Sequence, residues 1–228
     1  MNNINFYSVI KRRFLILTVI LVISGCSHSI SNDEKRLQAI EQAKPVYASN
    51  AIRLKITAVP QLNVFNNMSN SCTILIAQAE KREQLDKLLA NPVLLRNLFA
   101  GTGATEQILQ LDNYVMMPGQ SVSLHIDRAE QARYIALIAG YYPMPDSTHT
   151  RVLSLPLRLE QHGWWNSAWS AEFVPMRINL TLGRYAITRS DFSAGNTGDE
   201  VVFPGQPGQI DFPGQTAESS SDESVLRK

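Results

Sequence analysis

Alternation of apolar and polar side chains dominates the middle of this chain. Ile52, Leu54, Ile56 and Ala58 alternate with Arg53, Lys55 and Thr57, the period of two that marks a half-buried strand. Pro60 closes it. Thr73 to Ala77 is a second strand, more continuously apolar, and a further strand is expected from about Glu106 to Met117. Pro118-Gly119 reads as a type II turn, with proline fixing φ and glycine accepting a positive one. Val122, Leu124 and Ile126 then alternate with Ser121, Ser123, His125 and Asp127. Tyr134 to Tyr141 is apolar on both faces, which predicts a central strand, whereas Pro156 demotes Val152 to Leu157 towards an edge. Met176, Ile178, Leu180 and Leu182 give the last clear alternation, and Tyr185 to Thr188 is expected to add a short strand. Repeated short strands with turn signals predict a mainly β, antiparallel sandwich.

Two other periodicities interrupt this pattern. Leu85, Leu88 and Leu89 share a helical face. A second helix carries Leu94, Leu95, Leu98 and Phe99, with Asn91 as N-cap, Pro92 at its first position and Gly101 past its end. This small helical insertion is expected over about residues 84–100. Pro60 to Ser71 is rich in Asn and Ser and reads as a loop, yet it holds Leu62, Val64, Phe65 and Met68, which a solvated turn does not need. Before the first strand, Asp33 to Lys44 has a thin apolar stripe, and residues 26–49 are expected to be a tether. The sandwich is expected over residues 50–192. Residues 193–228, Pro/Gly- and Ser-rich with Phe203-Pro204-Gly205-Gln206 repeated as Phe212-Pro213-Gly214-Gln215, are expected to be a disordered tail.

The start of the chain has a different logic. Lys11, Arg12 and Arg13 precede the apolar run Phe14 to Ile23, which falls short of the ~17–25 residues of a spanning helix. Small residues follow, and residues 1–25 therefore read as a secretory signal peptide. Leu21-Val22-Ile23-Ser24-Gly25-Cys26 resembles the bacterial lipobox. That resemblance implies cleavage before Cys26, a diacylglycerol on its thiol and an acyl chain on its new amino group. More than one chain is what stable membrane anchoring requires. Ser27 at the next position implies export to the outer membrane, facing the periplasm.

Charge and candidate chemistry narrow the function. The full chain carries 21 Lys+Arg and 20 Asp+Glu; without Lys11, Arg12 and Arg13 the balance is 18 against 20, a formal charge of −2. Such a balance gives no electrostatic reason for a nucleic-acid partner. With Cys26 lipidated, Cys72 has no partner for a disulfide and is expected to be a small buried hydrophobe. His125, Asp127, Ser121 and Ser123 share one strand face, but it is the polar face of an amphipathic strand, and no catalytic, metal or cofactor signature emerges. Trp164, Trp165 and Trp169 are expected to pack on the sandwich; the alternative is a sugar-stacking platform, which would make the chain a lipid-anchored carbohydrate-binding module.

A lipobox, a tether and a small sandwich with a leucine-rich insertion resemble the outer-membrane lipoprotein of the bacterial type VI secretion system, the TssJ (SciN) family. The resemblance runs from about Leu54 to Leu182. It is carried by Leu62-Asn63 after the first strand, by Ile74-Leu75-Ile76, by Met117-Pro118-Gly119-Gln120, and by Ala132-Arg133-Tyr134-Ile135-Ala136-Leu137-Ile138-Ala139-Gly140-Tyr141. It implies a transthyretin-like sandwich, no enzymatic activity, and a structural role binding the periplasmic domain of the inner-membrane protein TssM. It also implies that the loop between the first two strands makes that contact, here through Leu62, Asn63, Val64, Phe65, Asn66 and Asn67.

Overall fold

Strand β1 (Ala48–Ala58) buries Ile52, Leu54, Ile56 and Ala58 and turns Arg53, Lys55 and Thr57 to solvent, as its alternation requires. The computed structural model describes residues 30–103, 107–143, 145–163, 168–195 and 200–205. The chain divides into two units, Met1–Lys35 and Arg36–Lys228. Of the first, the described part opens helix α1 (Asn32–Gln42), where the Ser31 hydroxyl accepts from Glu34 N at 3.1 Å and Glu34 Oε2 accepts from Ser31 N at 3.4 Å. This reciprocal capping box is written in the sequence as Ser31-x-x-Glu34.

The second unit continues with β2 (Cys72–Ala79), α2 (Arg82–Leu89), α3 (Pro92–Phe99), β3 (Gln110–Met116) and β4 (Ser121–Arg128). There follow β5 (Tyr134–Ala139), β6 (Thr150–Ser154), β7 (Leu157–His162), β8 (Ala168–Phe173), β9 (Met176–Leu182), β10 (Ile187–Ala194) and β11 (Glu200–Val202). One sheet has the order β10-β9-β1-β4 and another β3-β2-β5-β6. Their inner faces enclose one core of Ile52, Leu54, Ile56, Ile74, Ile76, Ile135, Leu137, Ile178 and Leu180, so the fold is the expected β-sandwich. Among the described residues all strand pairs are antiparallel except β1 with β9, which run parallel from Ile52↔Met176 to Ala58↔Leu182.

β2 and β5 carry no alternation because both their faces are covered. Leu85, Leu88, Leu95 and Leu98 of the two inserted helices pack on Leu75, Ala77, Ala136 and Ile138, on the side of the sheet away from the main core. Full burial of each such leucine contributes about 1.5–3 kcal/mol, which fixes short helices that could not stand alone. The expected caps form. Asn91 Oδ1 accepts from Leu94 N at 3.0 Å, and Gly101, at φ 72°, ends α3 in a Schellman motif, with Gly101 N bonded to Leu98 O and Thr102 N to Asn97 O. Cys72 is fully buried and free, and burial pushes its thiol up to about 12. Gln78, also fully buried, joins the sheets, donating to Asp127 O (2.8 Å) and accepting from Ala129 N (3.0 Å).

Three expectations need correction. Past Leu155 and Pro156 the chain leaves its sheet to build a third one, β11-β7-β8, which the weak alternation there did not reveal. The tail does not begin at Ser193: β10 runs to Ala194, β11 pairs with β7, and Phe203 is buried edge-on to Phe192 at 5.1 Å between centroids. The first Phe-Pro-Gly-Gln therefore begins inside the core, while its repeat lies outside the described residues. Finally, the folded unit starts before residue 50. Ala39 and Ala43 are buried, Arg36 pairs with Glu200, and Arg133 donates to the carbonyls of Ile40, Glu41 and Ala43. Alpha-helical carbonyls left open at a C-terminus favour a cation, and α1 has none in its own last turn.

Candidate functional site

Four loops meet where β1 ends. Val59 N donates to Leu182 O, Gly119 N to Val59 O, Val64 N to Arg184 O, and Tyr142 N to Asn63 Oδ1. The Val59–Ser71 loop is thereby joined to the Met117–Gln120 turn, to the segment after β5 and to the β9–β10 hairpin. The Met117–Gln120 turn has the predicted type II form, with Gly119 at φ 75° and Gln120 N bonded to Met117 O.

The first loop is built by its asparagines. Asn63, at φ 45°, donates from Nδ2 to Ser71 O (2.8 Å), and Asn70 Nδ2 donates to Asn63 O (3.2 Å) and Met68 O (2.9 Å). Phe65 and Met68 exchange both backbone hydrogen bonds at 3.0 Å around Asn66 (φ 49°) and Asn67 (φ 62°). Two central residues with positive φ make this a type I′ turn, for which asparagine is well suited. Composition that reads as a solvated loop is thus a miniature hairpin, held by amide groups in place of a sheet ladder.

This order sorts the six expected contact residues into two sets. Leu62 has no exposed surface and packs in the main core beneath the loop, so the expectation that it meets a partner is corrected: its role is to anchor the loop. Asn63 is buried too, with its side chain spent on Ser71 and Tyr142. Val64 is half-buried, and Asn66 and Asn67 are exposed at the turn. Phe65 is 41% exposed, and its ring lies 4.1 Å from that of Tyr142, tilted by 48°.

The residues that complete the patch were not among the six expected contacts, although Met68 stood out as an apolar residue of the loop. Met68 is 64% exposed and Tyr142 60%, and Tyr185 stands nearby under the Arg184 guanidinium, 5.1 Å from its ring centroid. Their supports are buried. The Tyr141 hydroxyl, its pKa raised by burial, is shared between the carbonyls of Gly183 (3.0 Å) and Ala186 (2.9 Å), and its ring stacks on His149 at 4.8 Å. His149 Nδ1 accepts from Asp146 N, which makes Nε2 the donor to Tyr185 O at 2.8 Å. The sequence carried no local signal for this split: Tyr141 is buried and Tyr142 exposed just past a strand whose two faces are both covered.

The other candidates have structural places. Asp127 accepts from the Tyr47 hydroxyl (2.7 Å) and from Asn50 N (2.8 Å), while His125, Ser121 and Ser123 are exposed. Trp169 is half-buried, packs against the main core and has the Arg36 guanidinium 5.2 Å over its ring. Trp164, Trp165, Cys26 and the signal segment 1–25 lie outside the described residues. No described helix is long and apolar enough to cross a membrane.

A rigid, amide-braced loop with an aromatic and a methionine held open suits protein recognition. Several solved structures are similar to the chain, three of them as follows. The type VI secretion lipoprotein TssJ1 of Pseudomonas aeruginosa is 18% identical, with 68% of this chain and 99% of that one covered and a TM-score of 0.43. Lip of Serratia marcescens, described as a membrane-bound component of the type VI secretion system, is 19% identical over 64% and 98%, with a TM-score of 0.45. The C-terminal domain of the type VI secretion protein TssM from EAEC is 19% identical over 60% and 97%, with a TM-score of 0.39. No curated protein sequence matches. The profile described as type VI secretion lipoprotein (VasD, EvfM, TssJ) matches residues 50–181, more than half of the 228 residues. The protein is a member of the type VI secretion lipoprotein family.

Proposed function

We propose that this chain is a non-enzymatic, outer-membrane-anchored component of the type VI secretion membrane complex. In this reading it grips the periplasmic domain of a TssM-type inner-membrane protein with the loop between β1 and β2. The observation that carries the reading is the pair Phe65 and Met68, kept exposed on a hairpin that is already ordered without a partner. Such preorganisation spares the entropy that a floppy loop would lose on binding. Phe65, Met68 and Tyr142 are the anchors, Val64, Asn66 and Asn67 the rim, and Leu62 and Asn63 the internal supports.

Truncating a central anchor costs ~2 kcal/mol or more, over tenfold in affinity. Calorimetry with the partner's periplasmic domain should therefore show Phe65→Ala binding at least tenfold more weakly, with its melting temperature almost unchanged. Wild-type affinity in a folded Phe65→Ala, Met68→Ala double variant would remove this loop as the docking site. The membrane half of the proposal rests on acylated Cys26. Cys26→Ser should move the protein from the outer-membrane fraction to the soluble periplasm, and a variant that still sediments with membranes would rule out acylation as the anchor.

A further inference from the structure

Sheet edges invite unwanted pairing, and proteins ordinarily blunt them with charge, bulges or brevity. Most described edges here obey. β4 shows Ser121, Ser123 and His125 to solvent, β10 shows Arg189 and Asp191, β8 shows Ser170 and Glu172, and β11 is only Glu200–Val202. β3 is different. Its exposed face carries Leu111, Asn113 and Val115, extended by Leu109 before the strand and Met117 after it. Its one charged residue, Asp112, lies on the opposite face and accepts from Gln110 Nε2 at 2.6 Å.

The backbone of the same residues points outward. Gly140 N donates to Thr73 O, so Thr73, Leu75 and Ala77 of β2 direct their peptide groups to β5. The intervening Cys72, Ile74 and Ile76 therefore bond to Met116, Tyr114 and Asp112 of β3. The remaining β3 residues, Leu111, Asn113 and Val115, direct theirs to the free edge, and among the described residues β3 pairs with β2 alone.

We infer that β3 is a pairing edge for a second copy of this chain, joined antiparallel with the twofold axis at Asn113. The stripe is its own complement about that residue. Leu111 falls opposite Val115 of the second copy, Leu109 opposite its Met117, and the two Asn113 side chains meet at the axis, where each amide supplies donor and acceptor. Each of the pairs formed by Leu111, Asn113 and Val115 exchanges two backbone hydrogen bonds, and the two sheets become one that runs β6-β5-β2-β3 and back. A slip of one residue would turn the apolar stripe against the polar face, and a slip of two would set Asn113 against Val115 or Leu111, so the register at Asn113 is the one that matches apolar with apolar. The exposed stripe itself carries no charge of either sign, which favours this occupant over a charged peptide.

Site-directed cross-linking of the full-length chain in cell membranes tests the pairing. Paired Cα atoms here stand ~5.5 Å apart, within disulfide range, while Val115 lies roughly 14 Å from its own copy. Asn113→Cys should give a disulfide-linked dimer above the level of the unsubstituted chain. Val115→Cys alone should not, and co-producing it with Leu111→Cys should restore the dimer. Adding Val115→Lys to the Asn113→Cys chain should lower the cross-linked fraction at least tenfold with an unchanged circular dichroism spectrum. No dimer from Asn113→Cys, equal dimer from Val115→Cys alone, or an Asn113→Cys adduct dominated by a different protein would each overturn the inference.

Discussion

The segments on either side of β1 look alike as text and behave differently. Each is mostly polar with a few apolar residues, and each is ordered. Before the strand, Arg36–Pro45 is held from outside: Ala39 and Ala43 sink into the domain, and Arg133 reaches across to three carbonyls. After it, Val59–Ser71 is held mainly from within, by Asn63 and Asn70, with Leu62 as a buried pin. The first arrangement sets Ala39, Ala43 and part of Ile40 against the domain and leaves Leu37 exposed. The second fixes the backbone with short amides and so leaves Phe65 and Met68 free to face outward. A loop that recognises something must be stiff without using its recognition side chains to become so, and the asparagines achieve that.

Substitution can break this contrast. Within one loop, Leu62→Ala should be the most damaging change, at about 2–5 kcal/mol, because it opens a cavity in a packed core. Denaturant titration should show that loss, set against almost none for Phe65→Ala, although the two stand three residues apart; comparable losses would mean that Phe65 is also core. On the other side of β1, Arg133→Ala removes charge-assisted bonds to three carbonyls and should cost ~1.5–3 kcal/mol. Hydrogen exchange should then show α1 opening first while the loop stays protected. Simultaneous opening of both segments would show that they are one cooperative unit.

The smallest effect concerns pH. The Tyr47 hydroxyl, and then Asn50 N–H, hold the Asp127 carboxyl below its ordinary value. A depressed folded pKa contributes stability that is complete above the unfolded value of about 3.9 and is lost as pH falls through the folded one. Asp127→Asn should therefore be less stable than the wild type at neutral pH, and the gap should close in acid. A gap that is constant with pH would assign the effect to shape and not charge.

How much of this was legible depended on the partner each residue had. β1 and β9 were plain because one face meets water, and β5 because neither does; both patterns belong to single strands. The insertion was plain because its caps are local. The third sheet was not, since β7, β8 and β11 are short and bring together residues from Leu157 to Val202. The Pro-Gly-Gln that follows Phe203 does not mark it as core, since the same three residues follow Phe212. In the loop, apolar residues were recognised as unusual, but which of them faced inward depended on positive φ at Asn63, Asn66 and Asn67, a feature of conformation and not of hydrophobicity. Met68, Tyr142 and Tyr185 joined the patch only through folding.

The position of β1 has a mechanical consequence. It lies between β4 and β9, bonded to both along most of its length, and spans roughly 33 Å from the end of the α1 segment to the start of the loop that leads to β2. In the proposed complex, a pull between two membranes would enter at one end of this strand and leave at the other, along its axis. Backbone hydrogen bonds run across that direction, slightly slanted in the parallel pair, so the load falls on both ladders in shear and on all their rungs together, instead of unzipping them one by one. Resistance to force depends on the unfolding rate and not on equilibrium stability. In the proposed complex, a strand clamped on both sides between anchor and grip would let a small domain act as a tension-bearing link.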